Sequence, residues 1–157
     1  LAEIRADANK KFPFLEPARQ GKIELNKENY DGAIKLLTAS IALFSADRKK
    51  ISIPQTAQVL ESNLYSNRAF AYIKKNDYKN ALADLDKSIE IFPNFPEAHK
   101  NRAKIYSIQG KKDLALKEME AAKEANEELR KQVMTRAAER NFKFDSGREK
   151  SRKVKAK

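Results

Sequence analysis

Cysteine and tryptophan are absent from this 157-residue sequence, and histidine occurs once, as His99. The lack of cysteine excludes disulfides, thiolate metal sites and cysteine nucleophiles, and it favours an intracellular, reducing compartment, either cytoplasm or an organelle matrix. A metal site needs several converging ligands, and no His or Cys pair stands at ligand spacing. The four glycines are scattered and form no phosphate loop. We therefore predict a protein that is not an enzyme and has no metal, cofactor or small-molecule substrate.

Residues that break helices are also few, with 4 glycines and 5 prolines. Alanine, lysine, leucine and glutamate dominate, and all four favour helices. No apolar run reaches the roughly 18 residues needed to span a bilayer. The composition predicts an all-α protein without a membrane span, in which acidic residues such as Glu118, Glu120, Glu127 and Glu128 lie on helix surfaces.

The charge is strongly basic and uneven, with 33 Lys and Arg residues against 22 Asp and Glu residues. Residues 143–157 contain two acidic residues and seven basic ones: Lys143, Arg148, Lys150, Arg152, Lys153, Lys155 and Lys157. We expect residues 142–157 to be a basic, flexible tail. It is either a solvated end or an arm that contacts RNA or an acidic protein surface.

A 34-residue repeat runs through the middle of the chain. A shift of 34 places Asn67-Arg68-Ala69 on Asn101-Arg102-Ala103, and likewise Tyr72 on Tyr106, Ala81 on Ala115 and Leu85 on Met119. An earlier copy aligns Tyr30 with Tyr78 at a spacing of 48, which is one repeat plus 14 residues. The small residues predict close helix crossings, and the tyrosines predict packing beside them.

These matches give the domain organisation. We expect an N-terminal helical lead-in over residues 1–15 and a repeat domain over residues 16–141, with an inserted loop at residues 45–58. A long capping helix closes the domain near residue 140. Within the repeats, Asn76-Asp77 and Gln109-Gly110 are predicted to turn the chain between paired helices.

The period, the alanines, the tyrosines and Pro93 resemble the tetratricopeptide-repeat family over roughly residues 17–125. The resemblance implies about three helix-turn-helix units in a right-handed superhelix, whose concave face receives a peptide or a helix of a partner protein. His99, at a large position of the repeat, is read as a packing or groove-edge residue. Carried over by position, the groove residues are Arg19, Lys22, Asn26, Asn67, Phe70, Ile73, Lys74, Lys100, Asn101, Lys104 and Ile108.

The string LYSNRAFAYIKKNDY resembles the second repeat of chaperone co-factors that grip the acidic C-terminus of heat-shock proteins. Their clamp of two Lys, two Asn and one Arg falls here on Ala18, Lys22, Asn67, Glu97 and Asn101. Only Asn67 matches, and Glu97 would repel a carboxylate.

Three functions follow from these observations. The favoured one is a protein-interaction adaptor or scaffold that binds an acidic or extended segment in a basic groove. The second is an accessory subunit of a large assembly, such as a ribonucleoprotein, whose tail contacts neighbours or RNA. The incomplete clamp disfavours the third, a chaperone co-factor.

Overall fold

The computed structural model describes the backbone of residues 2–155 and the side chains of residues 7–139. Its secondary structure is helical: α1 Ala2–Lys11, α2 Leu15–Asn26, α3 Tyr30–Asp47, α4 Pro54–Lys74, α5 Tyr78–Ile91, α6 Pro96–Ile108 and α7 Lys112–Lys155, with a short 3-10 helix at Arg48–Lys50. No helix among the described residues is long and apolar enough to cross a membrane.

The helices pack as three successive hairpins, α2–α3, α4–α5 and α6–α7. Each hairpin also packs on the next one, through the α3–α4 and α5–α6 contacts. One helix pair cannot bury its own apolar face, so stacked pairs are needed for a continuous core. The predicted all-α helical-repeat superhelix is confirmed.

The turn inside each hairpin has the same backbone geometry. A residue in the left-handed region ends the first helix in all three: Glu28 (φ 59°), Asn76 (φ 61°) and Gly110 (φ 72°). Glycine adopts this region without cost and asparagine tolerates it, whereas glutamate does so at a cost of about 1–2 kcal/mol. In the first two hairpins an Asn29 or Asp77 side chain then caps the following helix.

Close approach of the paired helices requires small residues at the crossings. A Cβ built on Gly21 would lie 2.8 Å from Cγ of Leu37 on the facing helix. Ala69, Ala81 and Ala103 are likewise buried. This burial agrees with the predicted packing of the alanines between paired helices.

Two apolar clusters form the core. The first surrounds Phe14, Leu37 and Phe44, with the Phe14 and Phe44 rings edge to face at 4.8 Å between centroids. The second surrounds Leu85 and Ile105.

Buried polar pairs recur with the repeat and were not predicted. Ser62 and Ser88 donate to each other's carbonyl oxygens at 3.0 and 2.9 Å, and Ser40 donates to the Phe14 carbonyl at 2.8 Å. Because buried polar groups need partners, these bonds fix how far one helix of a hairpin can slide along the other.

An ion pair joins the helices of the second hairpin and recurs in the third. Arg68 binds Asp84 through Nε and Nη2 at 2.8 and 2.7 Å. This bidentate hydrogen bonding raises the pKa of Arg68. Burial of the guanidinium acts in the opposite direction and has the smaller effect. One repeat later, Arg102 lies 3.0 Å from Glu118.

The prediction of a loop at residues 45–58 is wrong. Residues 45–47 complete α3, residues 48–50 form the 3-10 helix, and residues 54–58 begin α4, so residues 51–53 alone lie outside helices. Pro54 stands in the first turn of α4, where its missing N–H leaves no hydrogen bond unmade. The insertion therefore lengthens helices instead of interrupting them.

The expected helix end near residue 140 is also wrong, whereas the flexibility of the tail after it stays a prediction. The helix α7 continues to Lys155, because the chain has no proline after Pro96 and Gly147 alone costs a helix only about 1 kcal/mol. The capping helix is thus an extension of the third hairpin. The side chains of the basic tail lie outside the described residues.

We expect Ala69→Leu and Ala103→Leu each to lower the free energy of unfolding by about 1–3 kcal/mol, because both residues are buried and leucine would overpack the crossings. Ala83→Leu, on an exposed position of α5, is the matched control and should change stability little. Denaturant unfolding measures all three variants. Equal midpoints for the core and control variants would contradict the assignment of these crossings.

The ion pair gives a second expectation. Asp84→Ala should destabilise the fold by about 2–4 kcal/mol, because it leaves the largely buried Arg68 guanidinium without its partner. Glu90→Ala, which breaks the exposed Lys87–Glu90 pair, should cost under about 1 kcal/mol. Thermal unfolding of both variants is the measurement, and a similar loss in both would show that Arg68–Asp84 acts as a surface pair.

Candidate functional site

The first helices of the three hairpins, α2, α4 and α6, lie side by side. Helix α4 contacts both α2 and α6. Between α2 and α4 is an open cavity of about 320 Å³, lined by Lys22, Leu25, Asn26, Glu28, Tyr30, Asn67, Phe70 and Lys74. We call this cavity the groove pocket. It contains five of the residues predicted for the groove: Lys22, Asn26, Asn67, Phe70 and Lys74.

The helical period explains why α4 contributes three of them. Asn67, Phe70 and Lys74 stand at positions i, i+3 and i+7, which share one face of a helix. Nζ of Lys74 lies 5.6 Å from the centroid of the Phe70 ring, a cation–π distance. Nδ2 of Asn67 donates to Oδ1 of Asn63 at 2.8 Å, which orients the amide.

Ile73 does not belong to this surface, and its prediction as a groove residue is wrong. The side chain is 3% exposed and packs in the second core cluster. Ile73 stands four residues after Ala69, so the same period that places Phe70 in the groove turns Ile73 toward the crossing. The spacing from Ala69 by itself indicates this buried position.

Two of the predicted basic groove residues are paired with carboxylates. Arg19 Nη2 lies 2.5 Å from Glu16 Oε1. Hydrogen bonds to the Glu16 carboxylate, of which the one from Arg19 has the largest effect, lower the pKa of Glu16 to about 2. Lys100 Nζ lies 2.8 Å from Glu97 Oε1. Among residues 7–139, Lys22, Lys74 and Lys104 lack such a carboxylate partner.

The third repeat repeats the spacing of the groove face. Asn101, Lys104 and Ile108 follow Asn67, Phe70 and Lys74 at a distance of 34 residues. Lys104 and Ile108 are exposed, and Nδ2 of Asn101 is 3.4 Å from Oγ of Ser66 on α4. These residues extend the surface from α4 onto α6 but do not line the groove pocket.

Three lining residues were not predicted: Leu25, Glu28 and Tyr30. Glu28 and Tyr30 belong to the turn and to the start of α3, so a search confined to first helices misses them. Glu28, whose backbone is left-handed, lines the pocket together with Tyr30. Its carboxylate partly offsets the charge of Lys22 and Lys74.

His99 connects the two helices of the third hairpin and does not line the groove pocket. Its Nδ1 is 2.8 Å from Glu118 Oε2 and its Nε2 is 3.0 Å from the Pro93 carbonyl oxygen. The interpretation of Glu118 as surface charge is wrong, because it is 9% exposed and binds both His99 and Arg102. Within residues 7–139, no three His, Cys, Asp or Glu side chains are grouped to hold a metal ion.

Comparison with known proteins agrees with the repeat geometry. Residues 62–95 and residues 85–117 each match a family model described as a tetratricopeptide repeat. Residues 62–117 of this chain therefore match tetratricopeptide repeats. Tetratricopeptide repeats are typically a non-catalytic protein-interaction fold, and the matches support a protein-interaction module.

Two solved structures resemble this chain in fold. The second TPR of Spaghetti (RPAP3), bound to the HSP90 peptide SRMEEVD, has a TM-score of 0.58 and 23% identity, and the match covers 77% of this chain and 92% of that one. The crystal structure of MamA has a TM-score of 0.45 and 19% identity, with coverage of 80% and 86%. At these identities the likeness concerns the fold. No curated protein sequence matches significantly.

Proposed function

We propose that this chain is a non-catalytic adaptor that binds an acidic, extended segment of a partner protein along α2, α4 and α6. The observation that carries the proposal is the groove pocket, which combines two lysines, two asparagines and the Phe70 ring in one open cavity. Lysines attract carboxylates, amides bind the backbone of an extended peptide, and an aromatic ring receives an apolar side chain.

The acidic character of the ligand rests on Lys22, Lys74 and Lys104. Arg19 and Lys100 contribute less positive charge to the groove than the sequence predicts, because Glu16 and Glu97 already neutralise them. The RPAP3 domain that resembles this fold binds SRMEEVD, itself acidic, which supports an acidic segment as the ligand. The chemistry of the pocket still differs from the clamp of chaperone co-factors at four of five positions.

We expect acidic peptides of about twelve residues, tested as a labelled array by fluorescence anisotropy, to bind more tightly than their amide counterparts. Lys22→Glu and Lys74→Glu should each weaken binding about tenfold. Lys79→Glu makes the same charge change on an exposed position of α5 and is the control. A loss of affinity equal in all three variants would mean that total charge, not the groove pocket, drives binding.

A peptide ending in SRMEEVD should bind weakly, with a Kd above about 100 μM. The clamp lysines and arginine are replaced, and Glu97 stands where a terminal carboxylate would approach. Calorimetry measures this affinity. Low-micromolar binding abolished by Asn67→Ala would support a chaperone co-factor instead.

The alternative is an accessory subunit of a ribonucleoprotein, and the charge of residues 143–157 favours it. Each phosphate neutralised by a basic side chain releases counterions, so RNA affinity should fall with salt at a log–log slope of about −0.7 per contact on single strands. Deleting residues 148–157 should flatten this slope and leave the melting temperature unchanged. Anisotropy with a labelled RNA at several salt concentrations tests it. If neither chain binds RNA at low salt, this alternative fails.

A further inference from the structure

A second cavity lies away from the groove pocket. It has a volume of about 450 Å³ and is lined by Ile53, Gln55, Thr56, Val59, Leu60, Phe92, Leu129, Gln132, Val133 and Arg136. Residues of α4 and α7 form most of its lining, and Phe92, directly after α5, also lines it. We call it the overhang pocket.

The overhang pocket is built by two departures from a regular repeat. Helix α4 begins at Pro54, whereas its repeat equivalent α6 begins at Pro96, which corresponds to Ser62. The extra turns of α4 form a projection of about 12 Å, one face of which, at Ala57, packs in the first core cluster. Helix α7 runs antiparallel to α6 and continues past its start, so residues 129–136 stand opposite this projection.

Polar contacts join the two projecting segments at one edge. Gln55 Nε2 lies 3.4 Å from Gln132 Oε1, and Arg136 donates to Gln55 Oε1. The space beside these contacts is lined mainly by apolar side chains.

The apolar side chains around this space are unusually exposed. Ile53 is 61% exposed, Val133 54% and Leu129 37%. A single exposed apolar residue needs no explanation, but several around one cavity mark a binding surface. The volume is within the range of ligand sites, about 300–1,000 Å³.

The charge around the start of α4 is positive. A neighbouring cavity of about 300 Å³ on the same helical turns is lined by Arg48, Lys49, Ile51, Pro54, Ala57 and Gln58. The residues that line the two cavities include Arg48, Lys49 and Arg136 but no Asp or Glu. Arg48 is paired with Glu61 at 3.2 Å, whereas Lys49 has no carboxylate partner within residues 7–139.

We propose that the overhang pocket binds an acidic amphipathic helix of a partner protein. Thr56 and Leu60 on α4, and Leu129 and Val133 on α7, are spaced four residues apart, so each wall presents one helical face. A third helix laid between them buries an apolar stripe against both walls. Its carboxylates then face Lys49 at the start of α4. This site is independent of the groove pocket and of the ligand proposed for it.

The test uses the full chain and a fluorescein-labelled peptide of about sixteen residues with capped ends. Its leucines follow three- and four-residue spacing, and its other positions are Glu. Val133→Asp should weaken binding about tenfold or more, because the new carboxylate enters the cavity and repels the peptide. Met134→Asp is the matched control: Met134 is the next residue of α7, is 63% exposed and does not line the pocket. It should change the affinity less than about twofold. Melting temperatures establish that both variants fold.

Three further measurements decide the occupant. The same peptide with Lys in place of Glu should bind at least about tenfold more weakly, and Lys22→Glu in the groove pocket should weaken binding of the Glu peptide less than Val133→Asp does. The proposal is overturned if Val133→Asp and Met134→Asp weaken binding equally, or if the peptide does not bind. It is also overturned if sedimentation shows a dimer that Val133→Asp dissociates, or if dodecanoate binds there and the peptide does not; the occupant is then a second copy or an apolar small molecule.

Discussion

The close contact between the two helices of each hairpin is the constraint on which the rest of the structure depends. At Gly21 the facing leucine leaves no room for even a methyl group, and Ala69, Ala81 and Ala103 fill the same role later in the chain. When helices approach this closely, side chains beyond the crossing interdigitate and polar groups between the helices lose water. The buried serine hydrogen bonds and the Arg68–Asp84 pair compensate for that loss, because they give the buried polar groups partners.

Repetition of this contact creates the candidate binding surface. Because each hairpin packs on the next, the first helices α2, α4 and α6 stand in a row and present residues of equivalent spacing. Asn67, Phe70 and Lys74 on α4 are repeated as Asn101, Lys104 and Ile108 on α6. The binding residues thus lie on rigid helices, which favours a ligand that adapts to the groove over a groove that closes on its ligand.

The two irregular parts of the chain give it a second surface. The insertion lengthens α4, whose added residues Ala57 and Leu60 also pack in the first core cluster, and α7 continues past the start of α6. Both extensions meet at the overhang pocket, where Ile53 and Val133 remain exposed. A regular repeat ending at Ala125 would have neither wall of this pocket.

The sequence by itself determined the all-α repeat, because its evidence is a period. Matched residues at a spacing of 34, such as Ala69 with Ala103 and Tyr72 with Tyr106, specify helix pairs and their crossings without knowledge of any contact. The period also places Asn67, Phe70 and Lys74 on one face. Had it been applied more strictly, it would have excluded Ile73 from the groove.

Only the tertiary structure decided which charges are free and where the irregular segments lie. From the sequence, Arg19 and Lys100 are predicted to be groove charges, but the structure pairs both with carboxylates. Glu118 is predicted to lie on the surface, but the structure places it beside His99 and Arg102. The overhang pocket joins residues 53–60 with residues 129–136, which no local pattern connects. Ion pairing, burial and cavity shape depend on distances between segments far apart in the chain, whereas helix formation and its period depend on neighbours.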